Sequence, residues 1–170
     1  MRQTLYFAGG CFWGIQKFFD CMEGVCSTRV GYANGTAENP TYEQVCRQNT
    51  GHAETVEVVF EDRFLPLPLL LDTFYQAVDP TSVNRQGGDS GPQYRTGIYF
   101  VNEQDEPVIR ASLARLEQRI GAPVAIQCRR LENFYEAEEY HQDYLRKNPG
   151  GYCHISPEQF EIARNTKASK

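Results

Sequence analysis

The chain has 170 residues, 17 Lys+Arg against 22 Asp+Glu, three histidines and a net charge of −5. Apolar (41%), aromatic (12%) and charged (23%) fractions are those of a folded globular protein and exclude global disorder. The acidic balance argues against nucleic-acid binding, which normally needs a basic face, and no apolar run approaches the ~20 residues of a membrane span.

A chain of this length is most simply one domain, burying roughly 70% of its unfolded surface. Its first seven residues reach Gly9-Gly10 too soon for a signal peptide, so a soluble, cytoplasmic protein is expected. Residues 4–8 are β-rich and run into the glycine pair. Residues 11–22 then read as a helix, with Phe12, Ile15, Phe18 and Phe19 at helical spacing. Residues 25–32 predict a strand, and residues 42–47 a short helical piece after the polar loop through Asn39-Pro40. The clearest strand is 53–61, where Glu54, Val56, Val58 and Phe60 alternate with Thr55, Glu57, Val59 and Glu61.

Pro66 and Pro68 open a helix over 67–78. Residues 79–95 show no periodicity, and an unstructured loop of that length in a compact domain is usually functional or disordered. A strand over 96–101, a helix from 106 or 107 to 120 and a strand over 124–131 follow. The tail holds an aromatic, acidic stretch (134–145), a Pro149-Gly150-Gly151 break, Cys153, and a polar end from Phe160 that reads as a helix or fraying tail. Strands alternate with helices, several too briefly connected for parallel crossovers. The expected fold is an α/β (α+β) two-layer sandwich with a mixed sheet.

The six cysteines are Cys11, Cys21, Cys26, Cys46, Cys128 and Cys153. They are too sparse for a secreted disulfide scaffold, and neither a Cys-x-x-Cys pair nor zinc-finger spacing of His52, His141 and His154 points to structural zinc. Reduced cytosolic thiols are the expectation, with Cys21, Cys26, Cys46 and Cys128 as structural residues.

Cys11 follows two glycines and opens a helix, where unpaired N–H groups and the helix dipole would stabilise a thiolate and lower its pKa. A buried cysteine capping an ordinary helix gives the same pattern. Glu54 shares the inward strand face, where an ionised carboxylate is costly and a proton donor near neutral pH results; at the strand end it would instead reach solvent or pair with an arginine. Phe12 and Trp13 are consecutive helix residues and cannot both face one core direction, so one of them lines a surface pocket; ordinary core packing is the competing reading. Tyr42 and Tyr94 lie in polar loops, as ligand phenols or as tethers. Cys153 follows a Gly-Gly hinge, as a resolving thiol requires, although a packed tail thiol is equally compatible.

Gly10-Cys11-Phe12-Trp13-Gly14 resembles the signature of the A-type peptide methionine sulfoxide reductases. The resemblance continues through Gly31-Tyr32, Asn39-Pro40-Thr41-Tyr42, Val45-Cys46, Thr50-Gly51-His52-Ala53-Glu54, Asp79-Pro80, residues 89–95, and Lys147-Asn148-Pro149-Gly150-Gly151-Tyr152-Cys153. These blocks run in the family's order over nearly the whole chain.

The resemblance implies a ferredoxin-like sheet with flanking helices and a long coil-rich tail. Residues 1–155 would be the catalytic domain and 156–170 a polar extension, or the start of a linker to a B-type reductase domain. Cys11 would attack the sulfoxide sulfur of the S epimer, Glu54 would protonate its oxygen, Tyr42 and Tyr94 would hydrogen-bond that oxygen, and Asp89 would organise polar contacts or water. Phe12 and Trp13 would enclose the methyl group. Cys153 would condense with the resulting Cys11 sulfenic acid, and thioredoxin, or dithiothreitol in its place, would reduce the disulfide; no metal or organic cofactor is implied. Some members carry a second recycling cysteine in a glycine-rich tail, and none follows Cys153 here. The competing readings are a thiol peroxidase, which has no use for a pocket acid and methyl cage, and a non-catalytic sensor of oxidised methionine.

Overall fold

The computed structural model describes residues 1–47 and 49–167. In chain order its elements are β1 (Arg2–Gly9), α1 (Phe12–Asp20), β2 (Val25–Ala33), α2 (Tyr42–Arg47), β3 (Ala53–Glu61), α3 (Leu67–Phe74), β4 (Arg85–Gln86), β5 (Asp89–Ser90), β6 (Thr96–Phe100), α4 (Asp105–Ile120), β7 (Gln127–Arg130), β8 (Phe134–Glu136), α5 (Tyr144–Lys147) and α6 (Pro157–Asn165). Two 3-10 turns, Pro92–Tyr94 and Glu139–His141, complete the set.

The alternating segment β3 lies inside a six-stranded mixed sheet of order β7-β6-β1-β3-β2-β8, with β6–β7 its one parallel pair. The chain reaches the four central strands in the order β1, β2, β3 and β6, with α1, α2 and α3 in the successive connections. On one face Leu5 and Phe7 of β1, Val30 and Tyr32 of β2, Val56, Val58 and Phe60 of β3, and Ile98 and Phe100 of β6 form a continuous core with α1, α3 and α4. Phe7 sits 4.7 Å from Phe19 and 4.8 Å from Phe74, ring centre to ring centre, so β1 joins two helices. Burying a side chain of this size contributes ~1.5–3 kcal/mol. The opposite face carries a small cluster of Tyr6, Ala8, Ala33, Ala53 and Tyr99, beside a two-bonded Arg29–Glu57 pair at 2.7–2.8 Å. The expected mixed sheet with flanking helices is therefore present.

Three segments differ from the sequence expectation. Helix α3 ends at Phe74, not 78: the next amides bond three residues back (Gln76 to Thr73, Ala77 to Phe74), and Asp79 precedes a proline that disfavours the helical conformation. The 79–95 segment is ordered around the β4–β5 hairpin. Gln86, 3% exposed, donates to the Asp79 carbonyl (2.9 Å) and Thr96 Oγ1 (3.0 Å) and accepts from the Asp79 amide (2.9 Å). The strand expected over 124–131 shortens to β7.

Helix α6 starts at a complete capping box, Ser156 with Gln159, and buries Phe160 and Ala163 in the main core. The last three residues of the 156–170 extension lie outside the described residues. No helix among the described residues is long and apolar enough to cross a membrane.

Candidate active site

Cys11 is the N-cap of α1, immediately after the β1 strand and Gly10. Gly10 has φ +89°, and a Cβ there would lie 2.6 Å from the Gln86 side chain, so both the turn and the packed hairpin require glycine. The first free amides of α1 converge on two side chains. The Phe12 N–H donates to Glu54 Oε1 at 3.1 Å, and the Trp13 N–H points at the Cys11 sulfur.

Glu54 lies on the apolar face of β3, as its alternation predicted, and is 1% exposed. Burial, opposed by the Phe12 hydrogen bond, pushes its carboxyl up to about 8, and Oε2 has no partner. A protonated acid with a buried, unpaired oxygen is a proton donor at neutral pH.

The Cys11 thiol is 6% exposed, and here the expectation of a lowered pKa is overturned. Burial first, then the Glu54 charge, push the thiol up; the Trp13 N–H lowers it and is outweighed. Helix-terminus stabilisation operates, but desolvation beside a carboxyl is larger. At rest both groups are neutral.

Tyr42 opens α2 and Tyr94 closes the 3-10 turn; each is half-buried. Burial and then the Glu54 charge raise both phenols, so they remain hydrogen-bond donors at any physiological pH. The Cys46 thiol, on α2 with Tyr42, is itself raised, burial first, and its charge adds to the rise of both phenols, so it lies beside the site. Phe12 is buried while Trp13 is half-buried and packs against the edge of the core, so only one of the consecutive pair is fully enclosed.

Asp89, in the ordered hairpin, accepts a 2.9 Å hydrogen bond from the Tyr152 hydroxyl. That bond holds the residue before Cys153 near the site, and the His154 ring nitrogen Nε2 bonds the Gly9 carbonyl at 3.2 Å on the other side. Cys153 thus lies over the first turn of α1. A Cβ added to Gly14, one turn from Cys11, would be 3.2 Å from Cys153 Sγ. All six cysteines are free thiols.

The residues singled out in the sequence therefore gather at one end of the sheet. The sequence reading missed Glu138, His141 and Tyr144. The Glu138 carboxylate accepts from the Tyr32 hydroxyl (2.9 Å) and the Tyr42 amide (3.0 Å), fixing the start of α2. His141 accepts from the Trp13 indole, and Tyr144 stacks on it. Their signal was the aromatic, acidic character of 134–145, which periodicity could not assign.

Comparison with known proteins decides the family. The family described as "Peptide methionine sulfoxide reductase" matches residues 3–170. The chain belongs to the peptide methionine sulfoxide reductase family. A "Peptide methionine sulfoxide reductase MsrA" from Lachnoclostridium phytofermentans is 57% identical over 165 residues, 97% of this chain and 99% of that one. Among solved structures, Mxr1 from Saccharomyces cerevisiae in its reduced form superposes with a TM-score of 0.86 at 33% identity, covering 91% of each chain. Mxr1 in complex with Trx2 matches the fold with a TM-score of 0.61 at 23% identity over 84% of each chain. Among the described residues no group of three or more His, Cys, Asp and Glu is arranged to hold a metal ion.

Proposed function

We propose that the chain reduces the S epimer of methionine sulfoxide, free or within proteins, to methionine, in repair of oxidative damage. The observation that carries this reading is the buried Glu54 carboxyl, pushed up to about 8, beside the Cys11 thiol at the start of α1. Family membership supports the substrate class.

In the proposed cycle Phe12 and Trp13 enclose the sulfoxide methyl group, and the Tyr42 and Tyr94 hydroxyls donate to the oxygen. Glu54 gives its proton to that oxygen as Cys11 loses its own and attacks sulfur. The S–O bond breaks, the hydroxyl ends on Cys11 as a sulfenic acid, and methionine leaves. Glu54 recovers the proton released by the thiol, so the inventory closes without solvent. Asp89 holds polar contacts at the rim through Tyr152.

The Cys153 thiol then displaces water from the sulfenic acid, forming the Cys11–Cys153 disulfide. A dithiol reductant, thioredoxin in the cell or dithiothreitol in the tube, returns both thiols. The yeast relative's complex with Trx2 supports this partner. No step needs a metal or organic cofactor. The cycle needs a reducing compartment, for which we propose the cytoplasm.

The β6-β1-β3-β2 order supports a ferredoxin-like core, with a coil-rich tail delivering Cys153. In this reading 1–155 is the catalytic unit and 156–170 an extension seated on it through Phe160 and Ala163.

The test is turnover of resolved S and R sulfoxide epimers and of hydrogen peroxide, first with dithiothreitol and then with thioredoxin. Turnover of the S epimer alone is expected. Peroxide reduction without sulfoxide reduction, or sulfoxide binding without multiple turnover, would overturn the reading.

A further inference from the structure

The Trp13 indole is held by two residues of the tail segment that carry no assigned role. Its N–H donates to His141 Nδ1 at 2.9 Å, and its face stacks on Tyr144 at 3.7 Å with an 8° interplanar angle. His141 is 0% exposed. Its ring lies 5.2 Å from Phe12 and 4.4 Å from Tyr42, centre to centre, so it touches the aromatic walls of the same site.

An Nδ1 that accepts from an indole N–H carries no proton, so the imidazole is the neutral Nε2–H tautomer. Burial lowers the His141 pKa against the opposing Glu138 charge, which keeps the ring neutral. Its Nε2 is buried with no partner. A buried polar ring with one nitrogen unsatisfied is a costly way to fill core space. An apolar ring would pack as well and leave only the indole N–H unmet.

We propose that His141 is a positioning residue that sets selectivity for the substituent on the substrate sulfur, by fixing the plane of the Trp13 indole in the methyl pocket. This rests on the assignment of Phe12 and Trp13 as the methyl cage. A wall held by one hydrogen bond and one stacked ring keeps the pocket at methyl size. Release of the hydrogen bond lets the indole pivot on Tyr144 and admit a larger group. The sequence supplies a reporter, because Trp13 is the only tryptophan.

The test compares kcat/KM for the S-sulfoxides of methionine and ethionine, which differ by one methylene on sulfur, under dithiothreitol. A rigid apolar pocket discriminates a methylene by about 10–200-fold. In His141→Phe the methyl-to-ethyl ratio is expected to fall roughly 10-fold, equivalent to ~1.4 kcal/mol, with a shifted Trp13 emission maximum. In His141→Asn the amide oxygen takes the place of Nδ1, and most of the ratio and the parent emission should return.

An unchanged ratio in His141→Phe, or the same loss in Asn as in Phe, overturns the proposal. Should the Phe variant not fold, a long-range 1H–15N spectrum of the parent decides: an unprotonated Nδ1 supports it and an Nδ1–H tautomer overturns it. A parent that turns over neither sulfoxide would instead sink the reductase reading, while the tautomer and emission would still report on the Trp13–His141 bond.

Discussion

Replacing Glu54 by Gln should make the protein more stable at neutral pH while removing most of its chemistry. The Gln amide oxygen can keep the bond from the Phe12 N–H now made to Oε1 at 3.1 Å, so the local geometry survives. In the parent the carboxyl titrates at about 8 when folded, against 4.5 for an ordinary glutamate. Between those values the unfolded chain has released its proton and the folded one has not. Folded protein therefore binds more protons, and stability falls as pH rises. The contribution is fully present below pH ~4.5 and is lost by about pH 8. At pH 7 the ladder spans two and a half units at about 1.4 kcal/mol each, or ~3–4 kcal/mol, in a residue only 1% exposed. Urea unfolding of parent and variant at pH 5, 6, 7 and 8, with reductant present, measures the difference directly. The stability gap should widen in favour of Glu54→Gln by ~1.4 kcal/mol per unit up to pH ~7.5 and then flatten. Single-turnover reduction should fall about 10²–10⁴-fold, because an amide donates a hydrogen bond but not a proton. Parallel stability curves with unchanged single-turnover rates would show that Glu54 is ionised in the folded protein and is not the acid.

Cys11→Ser should abolish sulfoxide reduction, and alkylation of Cys11 in the parent should titrate above the free-thiol value of ~8.5, since burial raises this thiol. A midpoint below that value would restore the helix-terminus argument. Gly14→Ala should leave the first methionine released at the parent rate but slow disulfide closure about tenfold, because the new Cβ lies 3.2 Å from Cys153 Sγ. Dimedone trapping of the Cys11 sulfenic acid reads this out, and unchanged closure refutes it. Cys153→Ser should release about one methionine per enzyme without an external thiol, one oxygen being taken per Cys11, and lose thioredoxin-linked turnover. Near-normal thioredoxin turnover in that variant, or a mapped disulfide from Cys11 to Cys21, Cys26, Cys46 or Cys128, counts against the assignment.

Much of the sheet and the polar heart of the site were legible because they rest on short-range signals. Period-two alternation fixes β3 at Ala53–Glu61 and turns Glu54 inward, and Gly9-Gly10 followed by apolar helical spacing places Cys11 at a helix start. The less legible parts depend on partners distant in the chain. Nothing near Gln86 reveals that its amide will hold Asp79 and Thr96 and so order the 79–95 segment. His141 acquires meaning only when the fold brings it to Trp13, 128 positions away in the chain. The Cys11 pKa failed for a related reason: the helix terminus is visible locally, but the desolvation and the carboxyl that outweigh it come from β3.

The site also explains why a thiol nucleophile is kept in surroundings that oppose its ionisation. Burial is the largest cost of charge on both Cys11 and Glu54, and the Glu54 charge adds to it for the thiol. A resting thiolate would be open to any small oxidant, whereas a neutral thiol reacts slowly until its proton has somewhere to go. In the proposed cycle a sulfoxide oxygen held by Tyr42 and Tyr94 provides that destination through Glu54, whose carboxyl passes one proton on and receives one back. Ionisation of the nucleophile is then coupled to the presence of the substrate's S–O dipole, not to bulk pH. Peroxide can supply an oxygen but no methyl group for the proposed Phe12–Trp13 pocket, so in this reading it gains little from the same machinery. On the proposed cycle, selectivity for oxidised methionine over other oxidants follows from burying the acid and the thiol together.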